Sequence, residues 1–122
     1  MEVYRLEHPK ALGPYRGDFS IFSSEDRDIL SNMSIAHSSR NEHPGAVHDG
    51  LAYWEELWQH NNLITLYGFL TRKDLIEWFR GYYKNLRRMG FRVVKYEVEE
   101  ERYKLGKSGK QCIFALEESY LN

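Results

Sequence analysis

Cysteine is almost absent: Cys112 stands alone among 122 residues. No disulfide can form within the chain, and a reducing compartment is expected. An excess of one charge is missing as well. Seventeen Lys and Arg face 18 Asp and Glu, for a net −1 at pH 7. That balance argues against a strongly basic nucleic-acid binder and against a strongly acidic DNA mimic. No apolar run approaches the roughly 20 residues of a membrane span, so no membrane association is expected. The opening Met1-Glu2-Val3-Tyr4-Arg5 is mixed and charged, unlike a secretory leader. Walker, Gly-x-Ser-x-Gly, zinc-finger and dinucleotide fingerprints are all lacking, as are internal repeats.

What is abundant is aromatic surface. Nine Tyr, six Phe and three Trp make up 15% of the chain. Large rings fill the core of a small domain efficiently, because such a domain buries only a modest share of its surface. The same rings, left outside, are the usual anchors of protein interfaces. The length fits one domain, residues 1–122.

Local patterns suggest the elements. Val3 to Leu6 reads as a strand that ends before Pro9. Gly13-Pro14-Tyr15-Arg16-Gly17 is a tight turn, and Phe19 to Phe22 continues as an extended piece. Ser23 and Ser24 offer cap oxygens to a helix from Glu25 to about Met33. Residues 34–50 are a long polar loop without helical periodicity. Leu51 to Leu57 forms a short helix that sets Trp54 and Trp58 on one face. Leu63 to Phe69 is a central strand. Thr71 caps a helix in which Leu75, Phe79, Tyr82, Leu86 and Met89 form an apolar stripe. Gly81 lies inside that stripe as a possible break, and Gly90 closes it. Phe91 to Val98 and Lys110 to Leu116 are strands, with a hairpin turn at Gly106 to Gly109. Together these predict an α+β domain: a small, mostly antiparallel sheet carrying one main amphipathic helix over about 71–89, with short accessory helices.

Several groups carry chemistry worth weighing. His37, His43, His48, Asp49 and His60 offer metal-ligand atoms, but their spacing matches no tight ligand motif, so no metal is expected. His43 and His48 are candidate general bases, although Pro-Gly and Asp-Gly beside them are ordinary turn dipeptides. Arg5 and Arg16 are candidate anion ligands through the planar guanidinium, with a surface ion pair as the plainer reading. Cys112, in an apolar strand, reads as inert core. Arg72, Lys73, Arg80, Lys84, Arg87 and Arg88 follow the main helix and read as its solvated face, so nucleic acid is not the expected partner.

Two resemblances add to this. Val3-Tyr4-Arg5-Leu6-Glu7, Gly13-Pro14-Tyr15-Arg16 and His43-Pro44-Gly45 come first. Tyr67-Gly68-Phe69 follows, before Asp74-Leu75-x-x-Trp78-Phe79, then Gly90-Phe91-x-Val93 and Gln111-Cys112-Ile113-Phe114. In that order they resemble a group of small proteins encoded by bacteriophages and prophages. The resemblance implies an accessory protein of the bacterial host cytoplasm that binds a host or anti-phage defence protein and modulates or inhibits it. It transfers no activity to particular residues and implies no cofactor. The second resemblance is to ADP-ribosyltransferases of the arginine/serine/glutamate type. There Arg5 and Thr71 match the first two motif positions and Gln111 falls near the third, but Ile113 stands where the catalytic glutamate belongs. It implies, as the alternative, an NAD- or nucleotide-binding protein whose catalysis is degenerate. Arg5, Arg16, His43, His48 and Thr71 are its candidate ligand-binding residues. The binding-protein reading takes Tyr15, Trp54 and Trp58 as interface anchors on at least partly exposed segments, with Trp54 and Trp58 replaceable by alanine at the cost of partner binding but not of the fold.

Overall fold

The computed structural model describes residues 1–10, 12–38 and 42–117. Along them run β1 (Glu2–Glu7), α1 (Ser24–Ala36), α2 (Ala52–His60), β2 (Ile64–Gly68), α3 (Arg72–Trp78), α4 (Tyr83–Met89), β3 (Arg92–Glu97), β4 (Tyr103–Leu105) and β5 (Cys112–Leu116). The α+β class expected from the patterns is the one observed, with all strand pairs antiparallel.

The strands form two small sheets. One pairs β1 with β3 from Glu2↔Glu97 to Glu7↔Arg92. The other has the order β2-β5-β4. A single antiparallel bridge joins them: Tyr4 N–H donates to the Phe69 carbonyl at 2.7 Å, and Phe69 N–H donates to the Tyr4 carbonyl at 2.8 Å. Strand β2 thus leaves one sheet at Gly68 and touches the other at Phe69. Counted through that bridge, β2 lies in the middle, as its apolar run suggested.

Alternation along each strand sorts the side chains into three clusters. Val3 points between the sheets and meets Tyr96, Cys112, Phe114 and Leu116. Leu6 points the other way, into a cluster with Leu30, Met33, Leu75, Phe79, Leu86 and Phe91. On β5, Ile113 and Ala115 turn away from Phe114 and meet Leu51 and Trp58. The layers are therefore helices α1, α3 and α4, then the β1–β3 sheet, then the β2-β5-β4 sheet, then α2. Strand β5 is buried along its whole length because both its faces are covered.

Local chemistry explains the helix ends. Ser23 Oγ accepts from Asp26 N–H at 3.2 Å and starts α1, which runs to Ala36 rather than Met33. Residues 34–36 therefore belong to the helix, and 39–41 of the expected loop lie outside the described residues. Phe19–Ile21 is a single 3-10 turn, not an extended piece, because the Asp18 carboxylate accepts from Ser20 N–H at 3.1 Å. The single main helix over 71–89 is corrected to α3 and α4. Gly81 takes φ +88° between them, and an α-helical ladder cannot pass through that angle. The stripe nonetheless points inward throughout: Leu75, Phe79, Leu86 and Met89 are buried and Tyr82 packs against them.

The bridge demands close backbone contact at one residue. A Cβ on Gly68 would stand 2.6 Å from Val3 Cγ1 and 2.8 Å from the Tyr4 carbonyl oxygen. Gly68→Ala should therefore destabilise the protein by about 2–3 kcal/mol through overpacking. Urea denaturation measures this; an unchanged midpoint would show that β2 need not pass so close to β1.

Candidate binding surface

Helix α2 is held on its sheet by two polar contacts. Tyr67 Oη donates to Glu55 Oε2 at 2.7 Å, and Gln59 Nε2 donates to Thr65 Oγ1 at 2.9 Å. Its three aromatic residues form a ladder from solvent to core. Tyr53 is 65% exposed, Trp54 is half-buried and Trp58 is 6% exposed. The Tyr53 and Trp54 rings lie 5.2 Å apart edge to face, and Trp54 and Trp58 lie 5.6 Å apart. Lys104 on β4 places its ammonium 4.4 Å from the Trp54 ring centroid. Trp58 is therefore corrected from exposed anchor to core: it packs on Ile113 and Ala115, and truncating it would cost about 3–5 kcal/mol of stability. Tyr53, its exposed neighbour, escaped the sequence reading. Its only signal was a large ring on the polar side of a short helix.

The turn before α2 is locked to the β4–β5 hairpin by Asp49, which is 2% exposed. Its carboxylate accepts from Ser108 N–H at 2.7 Å, from Ser108 Oγ at 3.0 Å and from Gln111 Nε2 at 3.1 Å. Gln111 Nε2 also donates to the Pro44 carbonyl at 2.6 Å, and Lys107 N–H donates to the Asp49 carbonyl at 2.9 Å. A Cβ on Gly106 would fall 2.1 Å from Asp49 Oδ2, so the carboxylate rests directly on a bare backbone. Asp49 thus serves as a clamp, with its oxygens engaged by the hairpin, and Gln111 is its partner.

A second cluster joins the N-terminal turn, the end of α1 and α3. Trp78 Nε1 donates to Tyr15 Oη at 2.9 Å, and Tyr15 Oη shares a hydrogen bond with His37 Nδ1. His37 stacks on His43 with centroids 3.8 Å apart and planes 11° apart. His43 Nε2 donates to the Trp78 carbonyl at 2.8 Å. Burial, aided by the neighbouring His43, pushes the His37 pKa down to about 4. Burial also holds the Tyr15 hydroxyl well above the usual tyrosine range, although the residue as a whole is 40% exposed. A depression of about 400 Å³ lies beside this cluster, lined by His43, Trp78, Glu42, Asp74, Glu77 and Arg80 among others.

The remaining candidates are spread out. Arg5 donates through Nε to Glu7 at 2.8 Å and through Nη1 to the Tyr67 carbonyl at 2.7 Å, bracing the junction between the sheets. Glu7 also accepts from Tyr96 Oη at 2.6 Å. Arg16 is exposed in its turn, and His48 is exposed beside Asp49. Thr71 Oγ1 accepts from Asp74 N–H at 3.0 Å and caps α3. Burial pushes the Cys112 thiol up to about 12, so it is no nucleophile near neutral pH. Among the described residues no three His, Cys, Asp or Glu side chains converge on a point that could hold a metal. Among them, too, no helix is long and apolar enough to cross a membrane. Of the basic residues along α3, α4 and the turn between them, Arg80 pairs with Glu77 at 3.1 Å and Arg88 with Asp26 at 2.8 Å.

Comparison with known proteins gives one family. The profile described as Bacteriophage T4 Y00F protein matches residues 1–121. No curated protein and no solved structure matches the chain.

Two predictions follow from these clusters. Asp49→Ala leaves Ser108 and Gln111 donors unpaired under the hairpin and should cost about 2–3 kcal/mol, read as a lower urea midpoint; wild-type stability would show the clamp to be idle. His37 stays neutral in the folded protein down to about pH 4, while the unfolded chain binds that proton near 6.5. Its contribution to stability is therefore lost as pH falls through that window, with no further loss below it. His37→Gln should flatten the curve of midpoint against pH between those values relative to wild type, and parallel curves would contradict the assignment.

Proposed function

Because the chain belongs to the bacteriophage T4 Y00F protein family, we propose that it is a phage accessory protein that binds a host or anti-phage defence protein in the bacterial cytoplasm. Binding modulates or inhibits that partner. The observation that carries this reading is the ladder on α2. There Tyr53, 65% exposed, stands edge to face with a half-buried Trp54, so two adjoining rings are presented on one rigid element. A rigid helix that offers large rings at low entropic cost is what the centre of a protein interface uses. Tyr15 is a secondary contact, since its hydroxyl is turned inward to His37 and Trp78.

The nucleotide-binding alternative asks Arg5 and Thr71 to meet a ligand. Arg5 already serves Glu7 and the Tyr67 carbonyl, and Thr71 already caps α3. No observation on the remaining candidates, Arg16, His43 and His48, favours that reading over the ladder.

Tagged protein should retain one stoichiometric partner from a lysate of its bacterial host, identified by mass spectrometry. The double variant Tyr53→Ala, Trp54→Ala should lose that partner while its circular dichroism is unchanged. Retention by the variant at the wild-type level would remove α2 from the interface. A blank with wild-type protein would remove the reading itself.

A further inference from the structure

We propose that the strip between α2 and β4 takes a short, extended acidic segment of the partner protein; this deepens the protein-binding reading above and rests on it. Three cations follow α2 from one end to the other. The Lys107 side chain lies over Gly50, just before the helix, where a Cβ would stand 2.8 Å from Lys107 Cε. Lys104 lies over Trp54, within the helix. Arg102 shares a depression of about 580 Å³ with Trp58 and Asn61 at the helix's far end. The nine residues of α2 span about 13 Å, the reach of roughly four extended residues.

The charge on the hairpin side of this strip is of one sign. From Arg102 to Leu116 the chain contains no acidic residue. Asp49, beneath the hairpin, has its carboxylate bonded to Ser108 and Gln111. Glu117, at the far end with Arg102, is the one acid lining that depression among the described residues. On α2 itself Glu55 accepts from Tyr67 Oη on β2 and Glu56 lies 3.9 Å from His60 Nε2, so an incoming carboxylate meets Lys104 and Lys107 on a hairpin with no carboxylate of its own.

Two features select an acidic protein segment over a nucleic acid. Glu99, Glu100 and Glu101 are exposed immediately before Arg102, so a polyanion running past the strip would meet three carboxylates. A segment of a few residues ends before them. The second feature is the apolar floor. The Trp54 indole, with the Lys104 ammonium 4.4 Å from its centroid and the exposed Tyr53 ring beside it, offers aromatic surface between the charges. That suits a leucine or aromatic residue flanked by Asp or Glu, and a phosphate backbone has nothing to place there.

The probe is a fluorescein-labelled four-residue peptide of alternating glutamate and leucine, read by anisotropy. It should bind wild-type protein, and binding should weaken about tenfold in Lys104→Glu, Lys107→Glu. It should also weaken as NaCl is raised from about 50 to about 300 mM. If the charge reversal perturbs folding, Lys104→Gln, Lys107→Gln should show the same direction with a smaller effect. A lysine-leucine peptide should not bind. Absent binding, or equal binding by the variants, would overturn the proposal. So would tighter binding of a twelve-nucleotide oligothymidylate, which would make the strip a nucleic-acid site. Dimerisation of wild-type protein that the charge reversal abolishes would instead assign the strip to the acidic tract of a second copy. Should the peptide fail while wild-type protein still captures its partner through Tyr53 and Trp54, the groove is wrong and the protein-binding reading stands.

Discussion

Strand β2 can belong to both sheets only because residue 68 has no side chain. A Cβ there would press on Val3 and on the Tyr4 carbonyl. The two hydrogen bonds of the Tyr4–Phe69 bridge stabilise the junction by about 0.5–1.5 kcal/mol each. Overpacking at Gly68 costs more than either bond returns, so the bare backbone decides the geometry and the bridge follows from it. The Arg5 guanidinium then braces the same corner by holding the Tyr67 carbonyl, the residue before Gly68. Because the corner fixes how the sheets face each other, it also fixes the inter-sheet core of Val3, Tyr96 and Phe114.

The working face depends on that core at one remove. Strand β5 presents Phe114 to the inter-sheet space and Ile113 and Ala115 to α2. Helix α2 can therefore sit only on the outer face, and Trp58 seals it there. Asp49 then locks the turn before α2 to the hairpin tip. One buried carboxylate thus sets the register between the aromatic ladder and the lysines that pass over it. Aromatic surface and cationic surface come from segments about fifty residues apart in sequence, Tyr53 and Trp54 against Lys104 and Lys107. They form a single face only after this clamp closes.

Much of the fold was legible because its signals are local. The serine and threonine caps, the glycine after α4 and the apolar stripe from Leu75 to Met89 depend on neighbours within a few residues. The break at Gly81 was visible as a glycine but not as a decision, since a helix tolerates one at a cost of about 1 kcal/mol. The phage family was legible in short motifs spread along the chain, and the profile match over residues 1–121 agrees with them. Burial of Trp58 was not legible. Its spacing from Trp54 puts both on one helical face, yet which residue meets the sheet depends on where β5 lies. The Asp49 clamp and the His37–His43 stack escaped for the same reason: their partners are supplied by tertiary packing, and side-chain type alone suggests ligands instead.

The claim at the centre of this account is that α2 and the β4–β5 hairpin together form the surface the protein works through. Hydrogen–deuterium exchange of the protein alone and with its captured partner tests it most directly. The account predicts new protection in residues 50–60 and 102–110, with the turn at 13–17 and helices α3 and α4 little changed. Protection confined to α3, α4 and the His43–Trp78 depression, with α2 and the hairpin exchanging as before, would contradict it.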